Sequence, residues 1–347
     1  MRANMRFTFV APMLAAALSC LGAAFGTGPL GSSTARAQTL TPFKFGISAP
    51  VVNIIPVWMA QTAGFYANEG LKVDIVSMEG GSRGVQVLLS GEIQGMHVGV
   101  APVIQANREG ADIRAITSTA NTIPITLFTK PEIKSGADLK GKSIGISTYG
   151  SETDIAVSLA LKKLGLDRKD VTILQIGGSG QRLATLMAGR IDAVPLLEPG
   201  IATAKAKGFN PIVDLAAENT PWVFDSVVVT RSYLHQHADT LTRFVRAYLA
   251  GAYLTLSDEA KAKEEIAKRF KLQDPQAVAA TWHEFGRLMP RDGAPSVDGT
   301  KNVMAQLQAL GIETGSKNID DHLDLAIVQK LKSDGYLAQL AKQYPAK

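Results

Sequence analysis

From Phe43 onward, short runs of apolar and β-branched residues alternate with segments whose apolar positions recur every three or four residues. A period of two marks half-buried strands, and a period near 3.6 marks helices that bury one face. Read this way, residues 43–48, 72–78, 95–100, 113–119 and 124–129 are strands. Residues 56–68, 83–90 and 102–109 are the helices between them. A second set begins at Ser143, with strands over 143–147, 171–176, 192–197, 212–215 and 226–230. Helices over 152–164, 181–188 and 199–207 separate these. Beyond Thr230 the pattern is helical only, over 241–256, 259–270, 275–288, 301–310 and 325–332. Such alternation predicts an α/β fold with helices on the sheet faces.

The two sets match each other. VDIVSMEGGSRGVQVLLSGEIQG, from Val73, aligns without gaps with VTILQIGGSGQRLATLMAGRIDA, from Val171. At this constant offset Val73 meets Val171, Gly80 meets Gly178, Leu88 meets Leu186, Gly91 meets Gly189, Ile93 meets Ile191 and Gly110 meets Gly208. With a one-residue shift, Gly46-Ile47-Ser48 meets Gly145-Ile146-Ser147. A fixed offset over so long a stretch signals repeated architecture rather than chance. It predicts two similar α/β lobes joined by two hinge crossings, near 121–127 and 224–230. Lobe 1 is expected over 42–124 plus 229–347, including the helical C-terminal extension, and lobe 2 over 125–228. The repeat also predicts which loops face each other: 48–53 opposite 147–153, and 80–83 opposite 178–181.

The N-terminal 37 residues follow another logic. Arg2 and Arg6 precede an apolar run from Phe7 to Leu21, which Pro12 interrupts. A Gly/Ser/Thr stretch then ends in Ala35-Arg36-Ala37. That order predicts a secretory signal cleaved after Ala37, and the run is short for a membrane span. Cys20 is the only cysteine, and a lipobox has Leu where Ala17 stands, so lipid anchoring is not expected. The mature chain then holds no cysteine, which fits export to a bacterial periplasm by a domain large enough to fold without disulfides. Losing three arginines and no acids lowers the formal charge from +5 to +2. The mature region has no Lys/Arg block, which argues against nucleic acid as a partner.

Ligands of open α/β sheets bind beyond the carboxyl ends of the strands. The loops there carry Ser48 and Asn53, Gly81, Ser82 and Arg83, then Ala101 in the first set. In the second they carry Ser147, Tyr149, Ser151 and Thr153, then Ser179, then Glu198. Each leads into a helix start, where free backbone N–H groups and partial positive charge suit an anion. Helix capping is the simpler use of any single serine in the set. Arg83 is the candidate cation for an oxyanion. Glu198 is the candidate acceptor for an amine. Trp58, Tyr149 and Trp222 are possible aromatic walls, although burial in the core is the commoner fate of such side chains. The five histidines are dispersed without metal-ligand spacing, and no phosphate loop, dinucleotide fingerprint or nucleophile elbow is present. No metal, cofactor or catalytic residue is therefore expected.

At AQTAGFYANEGLKVDIV, GGSRGVQVLLSGEIQGMHVG, ADLKGKSIGISTYGSETD and GQRLATLMAGRIDAVPLLEPGIATAKAKG the chain resembles the substrate-binding components of nitrate/sulfonate/taurine-type ABC importers. That group includes thiamine-precursor-binder-like proteins. The resemblance implies a two-lobed periplasmic binding protein that closes on a ligand between its lobes and presents both lobes to ABC permease subunits. The donor-rich cleft loops predict a small organic anion or zwitterion as that ligand, and a monomer is expected. Many relatives have Trp before the acidic-Pro pair, where this chain has Leu197 before Glu198-Pro199. Tyr149 and Trp222 are the candidate replacements for that aromatic. Enzymes of similar outline, which make menaquinone or thiamine-pyrimidine precursors, are the alternative. They rely on a cleft histidine and are cytosolic. The export signal argues against them, and His97 is the only histidine near a predicted cleft strand.

Overall fold

The computed structural model describes residues 39–345. The expected signal over 1–37, with Cys20, lies outside the described residues. The strands in chain order are β1 (Thr41–Ile47), β2 (Leu71–Ser77), β3 (Gly95–Val98), β4 (Ile113–Thr122), β5 (Thr126–Thr129), β6 (Ser143–Ile146), β7 (Thr172–Gln175), β8 (Ala193–Leu196), β9 (Asn210–Asp214) and β10 (Pro221–Thr230). They form two five-stranded sheets, ordered β2-β1-β3-β10-β4 and β7-β6-β8-β5-β9. β1 pairs in parallel with β2 and β3, and β6 pairs in parallel with β7 and β8. β10 and β5 are the antiparallel strands beside β3 and β8.

The internal repeat is therefore structural. β3 and β8, and the helices Gly81–Leu89 and Ser179–Met187, coincide residue for residue at the offset seen in the sequence. It extends to packing. A Cβ placed on Gly46 would stand 2.7 Å from Ile93 Cδ1, and one on Gly145 would stand 2.7 Å from Ile191 Cδ1. At both places an isoleucine from the turn before β3 or β8 lies flush on the neighbouring parallel strand, β1 or β6, and only glycine leaves room for it. β3 and β8 are buried along their whole length, as strands covered on both faces must be.

The lobes differ in which strand closes each sheet. β10 lies within the first sheet, so the chain passes from sheet to sheet at residues 123–125 and returns at residues 215–220. The return comes earlier than the expected crossing near 224–230, which puts residues 221–228 with the first sheet rather than with lobe 2. The helix Ala238–Ser257 then packs on Ile55–Thr62, and Gly251 permits the close approach to Pro56 and Ala60. The expected 56–68 helix divides at Gly64, whose φ of 73° starts the short helix Phe65–Asn68. Pro275–Leu288 touches Gly200–Ala206 of the second lobe. Near the C-terminus, Ala115 N–H donates to His322 O and Asp324 N–H donates to Ala115 O, which covers the free edge of β4.

Candidate functional site

A cleft runs between the two sheets at the carboxyl ends of their parallel strands. Ser48, Gly81, Gly99, Phe224 and Asp225 of the first lobe line it. Ser147, Ser151, Glu152, Thr153, Arg182 and Leu197 line it from the second. The free volume between these walls is about 50 Å³. The walls are held together by hydrogen bonds from lobe to lobe. Glu152 Oε1 accepts from Ala101 N–H at 2.9 Å, and Oε2 accepts from Trp222 Nε1–H at 2.8 Å. Ser82 Oγ donates to Tyr149 O at 3.0 Å, and Gln105 Nε2 donates to Gly150 O at 2.9 Å. Val52 N–H donates to Glu198 O at 3.1 Å.

These contacts correct the expected loop pairing. The loop after β1 meets the loop after β8, through Val52 and Glu198. The loop after β3 meets the loop after β6, through Ala101 and Glu152. The contacts are reciprocal in the repeat, as they are at a two-fold axis, where one patch meets a different patch on its equivalent partner. Equivalent loops would face each other only at the axis itself. The 80–83 loop accordingly lies against 148–149 rather than 178–181: a Cβ on Gly80 would stand 2.7 Å from Thr148 Cγ2.

Of the second-lobe serines, Ser151 caps a helix, and both Ser147 and Ser151 line the cleft. Ser151 accepts from Asp154 N–H and so caps the helix Glu152–Lys163. Ser147 Oγ, Ser151 Oγ and Thr153 Oγ1 also lie 2.9 Å from one another in a buried hydroxyl cluster on the cleft wall. Other expected residues lie elsewhere. Arg83 is exposed and borders an outer groove with Lys44, Asp74 and Glu92, because its position on Gly81–Leu89 faces away from the second lobe. Tyr149 is 51% exposed, its hydroxyl donating to Ile173 O, so it edges the outer rim instead of walling the cleft. Glu198 Oε2 accepts from Ala202 N–H in its own helix, and burial pushes its carboxyl up. Ser179 is buried, outside the cleft lining, beside Gly200. Trp222 is buried and touches the site only through Glu152, while Trp58 packs against Phe270.

Three charged residues of the wall were not singled out by the sequence. Burial raises the Glu152 carboxyl to about 8, partly offset by the Trp222 and Ala101 hydrogen bonds and reinforced by the charge of Asp225. Asp225, on β10, accepts from Asn53 Nδ2 at 2.9 Å through Oδ2. Its Oδ1 lies 2.7 Å from His97 Nδ1, an ion-pair distance without the alignment of a hydrogen bond. His97 Nε2 reaches Tyr248 at 2.7 Å and Thr119 at 3.2 Å, and the ring has no solvent exposure. Arg182 is 2% exposed. Its Nε and Nη1 donate to Pro195 O and Gly177 O, and burial lowers its guanidinium to about 10. Among the described residues no group of three or more His, Cys, Asp or Glu is arranged to hold a metal.

Residues 51–262 match the family model described as NMT1/THI5 like. The Bacillus subtilis protein YtlA is 24% identical over 277 residues, covering 77% of this chain and 82% of that one. The riboflavin-binding protein RibY of Chloroflexus aurantiacus is 26% identical over 222 residues, and the match spans 60% of each chain. Among solved structures, the alkanesulfonate-binding protein SsuA of Xanthomonas axonopodis pv. citri bound to MOPS is similar with a TM-score of 0.65 at 19% identity, over 78% of this chain and 94% of that one. The shared architecture is the two-lobed periplasmic binding protein fold.

Proposed function

The chain belongs to the NMT1/THI5-like family, and from that premise we propose that it is the solute-binding component of an ABC importer. It captures a small organic anion or zwitterion in the inter-lobe cleft and delivers it to a membrane permease. The reciprocal set of lobe-to-lobe hydrogen bonds around a donor-lined cleft carries this reading. A ligand that bridges the walls adds its own contacts to those bonds and so favours the closed form, while the passages at 123–125 and 215–220 serve as the hinge.

The hydroxyls and helix starts of the second lobe suit an anionic group, and Asp225 opposite suits a donor or cation. That SsuA is bound to MOPS, a sulfonate that also carries an amine, supports the same ligand class. We propose binding without turnover. His97 has both ring nitrogens turned to protein groups and is fully buried behind the cleft wall. The protein is expected to be exported to the periplasm and to act as a monomer.

A thermal-shift panel of sulfonates, carboxylates, nitrate, aminopyrimidines and riboflavin tests the reading. One compound class should raise the melting temperature with saturation, because a ligand of the native state adds its binding free energy to stability. A panel without any saturable shift would count against a binding protein.

A further inference from the structure

We infer that Arg182 is the anion receptor of the cleft, its guanidinium pairing with the negative group of the ligand. The inference rests on the binding reading above and supplies the one cation that reading lacks.

Four observations carry it. Arg182 lines the cleft and is 2% exposed. Its Nε donates to Pro195 O at 3.3 Å and its Nη1 to Gly177 O at 2.6 Å, so both partners are neutral carbonyls at strand ends of its own lobe. Among the described residues no carboxylate lies within ion-pair distance of it, although eight other arginines, each with a less buried side chain, do pair with a carboxylate. Among the described residues its Nη2 has no acceptor. Carbonyls fix the plane of a guanidinium but do not cancel its charge, and an uncompensated charge in the interior is costly. A guanidinium keeps its proton near neutrality even when burial lowers its affinity, so the charge cannot be shed.

The two acids in the cleft do not serve as its counter-ion. Glu152 is held by Ala101 and Trp222, and Asp225 by Asn53 and His97. The unpaired edge of Arg182 instead shares the second-lobe wall with the hydroxyls of Ser147, Ser151 and Thr153. Planar donors beside hydroxyl donors form a set that matches a carboxylate or sulfonate. The repeat shows that the cation is particular to one lobe. At the equivalent position the first lobe has Gly84, packed under Met78 and Met96. The cleft is thus polar from lobe to lobe, with its cation on the second and Asp225 on the first.

The test compares the purified protein with Arg182→Gln and Arg182→Lys, by melting temperature and by titration with methanesulfonate, benzoate, taurine and nitrate at constant ionic strength. Riboflavin is the neutral control. At least one anion should raise the wild-type melting temperature with saturation. Arg182→Gln should weaken that anion by about 30-fold or more, as expected when a buried charged partner is removed. Without anion, Arg182→Gln should melt no lower than wild type, since it removes an unneutralised charge. Should it fail to fold, Arg182→Lys retains the charge without the planar fork and should bind the same anion more weakly than wild type. A variant that melts well below wild type and keeps its anion response would make Arg182 a strut between Gly177 and Pro195 and overturn the inference. Saturation by riboflavin with no response to any anion would also overturn it while leaving a binding protein in place. If no compound shifts the wild type, the binding reading fails with it.

Discussion

Glu152 and Trp222 come from different lobes, yet the indole Nε1–H donates to Glu152 Oε2 at 2.8 Å while Oε1 of the same carboxyl accepts from Ala101 N–H. One side chain thereby receives two donors of the opposite lobe, both out of water. Glu152→Ala leaves those donors without acceptors, at about 1–3 kcal/mol each when a buried donor goes unsatisfied. The melting temperature should fall by several degrees, and tryptophan emission should shift to the red as Trp222 gains water. Unchanged melting and emission would mean that other contacts hold the lobes.

The same carboxyl makes closure depend on pH. Its ordinary value is near 4.5, and burial raises it to about 8 in the closed protein. The folded, closed state therefore holds the proton more tightly than the unfolded or opened one. Its favourable contribution is complete below about pH 4.5 and is lost as pH rises through about 8. The wild type minus Glu152→Gln difference in melting temperature should decline steadily from pH 5 to pH 8.5. Calorimetry in buffers of different ionisation enthalpy should detect proton uptake on closure at pH 7. A difference that is flat with pH would exclude Glu152 as the titrating group.

Gly99 lies against this carboxyl so closely that a Cβ would overlap Glu152 Oε1. Gly99→Ala should displace Glu152, break both lobe-to-lobe hydrogen bonds and open the molecule. An increased radius of gyration in solution scattering would report it. Combining Gly99→Ala with Glu152→Ala should cost less than the sum of the two, because they act on one contact. Additive losses would place the effect of the alanine elsewhere.

The lobes were legible because the repeat leaves marks that depend on backbone geometry. Gly91 and Gly189 both have positive φ, as do Gly110 and Gly208, so glycine recurs at the same structural step. The cleft serines were legible because they follow strand ends directly. Arg182 was not, because it lies inside a helix, three residues after Ser179. Its inward direction depends on helix phase rather than on any loop signal. Arg83, near the start of the equivalent helix, looked the better candidate, yet its counterpart in the repeat is Gln181, and the counterpart of Arg182 is Gly84. Asp225 and Glu152 needed the tertiary structure, since their partners Asn53, His97, Ala101 and Trp222 lie 51 to 172 residues away in sequence.

Arg83 supplies a control for the cleft. Its exposed guanidinium borders the outer groove, away from the second lobe. Arg83→Ala should leave stability within about 0.5 kcal/mol, as surface substitutions usually do, and leave ligand affinity unchanged. A tenfold loss of affinity, read by calorimetry, would bring Arg83 back into the site.

Behind the first-lobe wall, Asp225 is fixed from two sides. Asn53 Nδ2 donates to one oxygen, His97 lies against the other, and the chain continues through Tyr248 Oη and Thr119 Oγ1 into the core. Tyr248 belongs to Ala238–Ser257, so the helical C-terminal region sets the position of a cleft carboxylate. Removing His97 deprives two buried groups, Asp225 and Tyr248, of the ring they face, at about 1–3 kcal/mol each. Asn53→Ala removes a neutral donor and should cost less, about 1–3 kcal/mol. His97→Phe should therefore destabilise more than Asn53→Ala in urea unfolding, and both should weaken a ligand bearing an amine more than a simple anion. An enzyme working through this histidine would give another result: His97→Phe would abolish a turnover that the wild type displays, with affinity for the substrate retained. Loss of stability and of amine selectivity together, with no turnover in either protein, is the outcome expected of a positioning network in a binding protein.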